Sequence, residues 1–135
     1  MWGVNLLYIA HKREIDGKEQ MLLDHLSETS NKAGRFAEAF NNKEYAATIG
    51  LLHDLGKYSL EFQNRIKNNG KRCDHSTAGA RVIMQNKYWG KLAAYCIAGH
   101  HSGLQDCGSS TDVGGEGTLY GRLAKDYILP PFDAY

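Results

Sequence analysis

Gly50-Leu51-Leu52-His53-Asp54-Leu55-Gly56-Lys57 sets a carboxylate inside an otherwise apolar run. An unpaired carboxylate is costly to bury, and a cation removes that cost. The run closes a helix that begins near Glu44 and carries Tyr45, Ile49 and Leu52 on one stripe. Gly56 suits the left-handed position that ends helices. His53 therefore follows a buried stripe and Asp54 follows His53.

Working outward, the clearest helix runs from Met21 to Phe40. There Leu22, Leu26, Thr29, Ala33, Phe36, Ala37 and Phe40 recur at three- and four-residue steps. His25 sits beside that stripe and points toward the core. Ser59 to Lys67 reads as a short helix closed by the turn signal Asn68-Asn69-Gly70. Asp74 or Ser76 caps a helix over residues 77–89, with Tyr88-Trp89 assigned to the core. Leu92 to His101 is apolar on nearly all sides and reads as a buried helix. Residues 102–117 are glycine-rich and read as a long mobile loop, followed by a helix from Leu119 to Tyr127 that Pro130-Pro131 ends. Leu6 to Ile9 and Glu19 to Leu22 flank Asp16-Gly17 as an early hairpin. The fold class is all-α, a helical bundle with a short N-terminal β-hairpin, over one domain of residues 1–135.

With 135 residues, 42% hydrophobic and 23% charged, the chain has globular proportions, which excludes disordered, collagen-like and coiled-coil classes. No apolar run approaches the roughly 20 residues that span a bilayer, so no membrane partner is expected. The N-terminus has no basic segment before its short apolar patch, and Cys73, Cys96 and Cys107 are odd in number without a C-x-x-C pair. The expectation is a cytoplasmic protein with free thiols, Cys107 being the one expected to be exposed. Net charge is only +1, but residues 57–91 carry eight basic and two acidic side chains, while both flanks are net acidic. Such a segment attracts a phosphate backbone, or serves as a solvated helical face.

Five of the six histidines, His25, His53, His75, His100 and His101, fall in or at the ends of these helices. One histidine on an apolar face is more often packed than ligating. Five with one carboxylate suit divalent transition metals, and a carboxylate has two oxygens with which to bridge a pair of ions. Two such ions acidify a shared water and neutralise charge on a phosphoryl group, the chemistry of a phosphate-ester hydrolase. Ser76 and Thr77 read as capping groups, not nucleophiles, since no histidine-acid relay surrounds them. The glycine-rich loop lacks the spacing of a phosphate cradle.

Ala10-His11-Lys12, Asp24-His25-Leu26, the 50–57 run, Phe62-Gln63, Asp74-His75-Ser76-Thr77-Ala78-Gly79-Ala80 and Ile97-Ala98-Gly99-His100-His101-Ser102-Gly103-Leu104 follow one another in an order of their own. In that order they resemble the HD nuclease domain of the type I CRISPR-associated helicase-nuclease, within the HD superfamily of metal-dependent phosphohydrolases. The resemblance implies an α-helical HD domain that cuts single-stranded DNA with two divalent metal ions, Mn, Fe, Co, Ni, Mg or Zn. It implies a first ion on His25, His53 and Asp54 and a second on Asp54, His75, His100 and His101. It gives Lys57 a catalytic role at the scissile phosphate and His11 a supporting role. A solvated lysine at a helix end is the plainer reading of Lys57. The family also uses a late aspartate. Asp126 and Asp133 match its context poorly, so the domain is expected to be truncated at its C-terminus and the first site incomplete. Implied partners are single-stranded DNA, a helicase domain or subunit, and an RNA-guided surveillance complex of antiviral defence. Two other readings fit the same residues: a phosphohydrolase of nucleotides or cyclic nucleotides, and a non-catalytic helical interaction module.

Overall fold

The computed structural model describes residues 7–115 and 117–126. It begins with an antiparallel hairpin, β1 (Ile9–Lys12) and β2 (Glu19–Met21), with a register shift at Ala10. The first strand lies three residues nearer the turn than expected; Leu6 is outside the described residues. Gly17, at φ 68°, supplies the left-handed turn conformation.

Six α-helices follow among the described residues: α1 (Leu22–Ala37), α2 (Lys43–Leu52), α3 (Leu60–Asn68), α4 (Thr77–Met84), α5 (Gly90–Gly99) and α6 (Leu119–Leu123). The all-α expectation with its short hairpin is what the structure shows. α1 packs along α2, and α4 along α5. One core cluster joins Ala80, Ile83, Ala93, Ala94, Ile97, Ala98 and Leu119. A second joins Ala10, Leu22, Leu26, Leu55 and Tyr58, and Leu52 packs against both.

Two glycines set the depth at which the site's segments meet. A Cβ on Gly79 of α4 would lie 1.9 Å from the Leu52 carbonyl oxygen at the end of α2. A Cβ on Gly56 would lie 2.3 Å from the His75 carbonyl oxygen. Gly56 also donates its N–H to that oxygen at 3.1 Å. Only hydrogen at these positions lets the His53-Asp54 turn and the His75 segment touch through their backbones.

Several expectations need correction. α1 ends at Ala37, continues as a 3-10 turn over Glu38–Phe40 and stops at Asn41 in the left-handed region. Phe36 and Phe40 are 78% and 68% exposed, not core. α4 ends at Met84, not 89. The Asn86 side chain there accepts the N–H groups of Tyr88 and Trp89 at 3.0 and 3.3 Å, and Gly90 turns back on the Ile83 carbonyl. Tyr88 is consequently 96% exposed, while Trp89 packs edge-on against Tyr45. α5 buries one face, Ala93, Ala94, Ile97 and Ala98, and exposes Leu92 and Cys96. Cys96, rather than half-buried Cys107, is the exposed thiol, and all three thiols are free. The glycine-rich loop is closed at its base, where Leu119 N–H donates to the Asp106 carbonyl and Tyr120 N–H to that of Cys107. α6 ends at Leu123, short of the expected Tyr127, with residues 124–126 outside the helix; Tyr127, Pro130-Pro131 and Asp133 lie outside the described residues. No helix among the described residues is long and apolar enough to cross a membrane.

Candidate metal centre

Asp54 occupies the turn between α2 and a 3-10 segment (Leu55–Tyr58), and its side chain is only 3% exposed. Its two oxygens face two different sets of donors. Oδ2 lies 3.0 Å from His25 Nε2 and 3.1 Å from His53 Nε2, which are themselves 3.2 Å apart. Oδ1 lies 3.3 Å from His100 Nε2 and 3.5 Å from His75 Nε2, and His75 Nε2 is 2.8 Å from His101 Nε2. α1 thus supplies His25, the end of α2 supplies His53 and Asp54, the approach to α4 supplies His75, and the end of α5 supplies His100 and His101.

The imidazoles are oriented for ligation. His53 Nδ1 lies 2.7 Å from the Gly50 carbonyl oxygen, and His100 Nδ1 lies 2.7 Å from that of Ile97. A carbonyl only accepts, so Nδ1 carries a proton, and Nε2, aimed at Asp54, is the nitrogen left to give its lone pair to a metal. Burial pushes the His75 pKa down to about 4 and lowers those of His11, His25 and His101. Neutral imidazole is the form that binds a metal. Burial opposes the charged form of His53 too, but Asp54 beside it outweighs this and raises its pKa. For Asp54 itself burial acts upward, and the adjoining His100, His53 and Lys57 overcome it, holding the carboxyl well below the usual range.

The donor set fits divalent ions. Asp54 Oδ1 is buried and makes no hydrogen bond. Donor atoms about 2.1 Å from one ion lie about 3.0 Å apart in an octahedron and about 3.4 Å apart in a tetrahedron. The separations of 2.8–3.5 Å around Asp54 span the same range. Asp54, His75, His100 and His101 form one group able to hold an ion, and His11, His25 and Asp54 another. The five sequence-predicted histidines thus surround the Asp54 carboxylate, His53 by its 3.1 Å approach to Oδ2, while His11 stands beside His25 in the group where His53 was expected. Asp126 is exposed and belongs to neither group.

Lys57 is 3% exposed, which overturns its reading as a solvated lysine at a helix end. Its ammonium donates to Asp54 Oδ2 at 2.8 Å, to the Ala10 carbonyl at 3.2 Å and toward His11 Nε2 at 3.4 Å, using all three protons. His11 meets the His25 ring edge-on at 4.8 Å, so β1 buttresses this side of the centre.

A cavity of about 770 Å³ opens from the centre, with His11, Lys57, His75 and His101 in its wall. Lys12, Arg13, Arg65, Lys67 and Arg72 line the rest, against the single acid Glu14. A larger cavity of about 1050 Å³ lies between the starts of α2 and α5, walled by Tyr45, Tyr88, Trp89, Leu92 and Tyr95. It holds none of the clustered histidines, so the chemistry belongs to the smaller one.

Sequence reasoning passed over Arg122 of α6, whose guanidinium reaches the segments on either side of His75 and His100. An arginine beyond a glycine-rich loop carries no periodic signal. Only Asp74, expected as a cap, hinted at a cationic partner.

The family model described as HD domain matches residues 22–123, from the first residue of α1 to the last of α6. None of the curated proteins compared with the chain matches it.

Proposed function

The chain belongs to the HD domain family of metal-dependent hydrolases, and from that premise we propose that it hydrolyses phosphodiester bonds in single-stranded DNA. The observation that carries the reading is a buried carboxylate presenting one oxygen to each of two imidazole groups, at the mouth of a cationic groove. Ions held there supply water acidified toward neutrality and positive charge against a phosphoryl group.

The chain's own residues do the rest. His53 and His100 are oriented by backbone carbonyls, and Asp54 is kept ionised by its neighbours. Lys57 lines the groove beside Asp54, and its proposed role at the scissile phosphate uses the proton now directed toward His11 Nε2 at 3.4 Å, the longest of its three contacts. Lys12, Arg65 and Arg72 make no ion pair among the described residues and face the groove, whereas Arg13 is held by Asp16 at 2.7 Å. Several cations without an ion-pair partner lining the cavity beside a hydrolytic centre favour a polymer of phosphates over a mononucleotide. With the motif order described above, this supports a nuclease of type I CRISPR defence, supplied with DNA by a helicase domain or subunit that an RNA-guided complex recruits.

The test is hydrolysis of single-stranded DNA, mononucleotides and cyclic nucleotides by the chain and by Asp54→Ala, across Mn, Fe, Co, Ni, Mg and Zn. Metal-dependent cutting of DNA that Asp54→Ala abolishes is the expected result. Turnover of nucleotides with DNA left intact would assign the site to a nucleotide phosphohydrolase. Bound metal without any turnover would leave an interaction module.

A further inference from the structure

We propose that Arg122 is a positioning residue that clamps together the two segments carrying His75, His100 and His101, and so sets the second half of the metal centre. This rests on the two-ion reading above. The guanidinium, 18% exposed, spends its donors on five acceptors. Nε donates to the Thr77 hydroxyl at 3.0 Å. One terminal nitrogen donates to the Ala98 carbonyl at 2.6 Å and to Gln105 Oε1 at 3.5 Å. The other donates to the Ser76 hydroxyl at 2.7 Å and to Asp74 Oδ1 at 3.3 Å.

These acceptors fall in two groups. Asp74, Ser76 and Thr77 bracket His75 at the start of α4. Asp74 also takes the N–H groups of Ser76 and Thr77, both at 3.1 Å, and so caps that helix. Ala98 and Gln105 bracket His100 and His101 at the end of α5. The Ala98 carbonyl lies in the last turn of α5, where helical partners run out. α4 and α5 are joined covalently at their other ends, through the Tyr88-Trp89 turn, so chain connectivity does not fix their spacing here. A planar fork with five donors fixes it. The 2.8 Å approach of His75 to His101 and the 3.3 Å approach of His100 to Asp54 depend on that spacing. His25 and His53, on α1 and at the end of α2, make no hydrogen bond to Arg122 or to its five acceptors, and reach this half of the centre through Asp54 and the edge-on contact of His53 with His100 at 5.1 Å.

The experiment is calorimetric titration of the chelator-treated 135-residue chain with Mn²⁺, repeated for Arg122→Gln, Arg122→Lys, His101→Ala and His25→Ala, with far-ultraviolet circular dichroism of each. The wild type is expected to bind two ions. Arg122→Gln should keep its helical signal and the affinity of the ion that His25→Ala removes. It should bind the ion that His101→Ala removes about 10- to 100-fold more weakly, the usual loss when a ligand's support is cut. Arg122→Lys, with three donors, should recover part of it. Unchanged affinities, equal weakening of both ions, or a lost helical signal in both arginine variants would overturn the clamp. A wild type that binds a single ion would instead sink the two-ion reading, and the clamp with it.

Discussion

Asp54 is the residue on which the chemistry turns. Within the 50–57 run only His53 and Lys57 can meet its charge, and the structure adds the imidazoles of His25, His75 and His100, all five groups lying within 3.5 Å of its oxygens. Each ion bound at 100 times its dissociation constant should stabilise the fold by about 2.7 kcal/mol. Thermal denaturation with and without Mn²⁺ is therefore expected to show a metal-dependent rise in Tm for the wild type and little or none for Asp54→Ala. Lys57 makes a separate prediction. Removing one partner of a buried charge pair costs about 3–5 kcal/mol, so Lys57→Met should lose that much in urea denaturation of the metal-free chain, with the deficit shrinking when metal is added. No change in the metal-free chain would mean that the ammonium is not what holds Asp54. The candidate ligands were legible in the sequence because imidazole and carboxylate at helix ends have few other uses in such number. The burial of Lys57 was not, because its other acceptors, the Ala10 carbonyl and His11, come from a hairpin far away in sequence.

Among elements, the sequence located each of the six helices in the described residues but misplaced several ends. α4 stops early because Gly90 folds back on Ile83 and Asn86 caps the turn, contacts that pattern alone does not carry. The buried face of α1 narrows after Leu26 to Gly34, which meets Lys43 and Ala47 of α2, and Ala37, leaving Phe36 outside. The meeting of α2 with α4 gives a test. Gly79→Ala must displace the Leu52 carbonyl, and overpacking of this kind costs about 1–3 kcal/mol. Gly117→Ala, with nothing within 4 Å of the added carbon, should be close to neutral. Urea midpoints of the two variants check this. The cap of α4 makes its own pH signature. Burial would raise the Asp74 pKa, but Thr77 and the Arg122 charge overcome it and hold it at about 2, below the ordinary 3.8. Its contribution to stability is then complete above pH 3.8 and lost as pH falls toward 2. Thr77→Val is expected to flatten the stability profile of the metal-free chain in that window.

For the whole molecule, the sequence placed the positive charge in residues 57–91, and the fold redistributes it. Arg81 donates to the Leu123 carbonyl and Lys91 lies over the Tyr120 ring, both away from the centre. Lys12 and Arg13 arrive from the acidic first third to join Arg65 and Arg72 along the groove. That convergence is tertiary, so charge counting along the chain located Arg65, Lys67 and Arg72 but not Lys12 and Arg13. If the groove tracks a phosphate backbone, Arg65→Gln with Arg72→Gln should weaken single-stranded DNA binding and lower its salt slope by one to two phosphate contacts, about 0.7 per contact. Hydrolysis of a small phosphodiester such as bis(p-nitrophenyl) phosphate should be unaffected, and an equal loss on both substrates would argue against the track.

The proposal that two ions share one carboxylate is tested most directly by electron paramagnetic resonance of the Mn²⁺-loaded chain. Two manganese ions bridged through Asp54 should give an exchange-coupled multiline signal that Asp54→Ala abolishes. An isolated six-line spectrum in the fully loaded wild type, unchanged by Asp54→Ala, would contradict it.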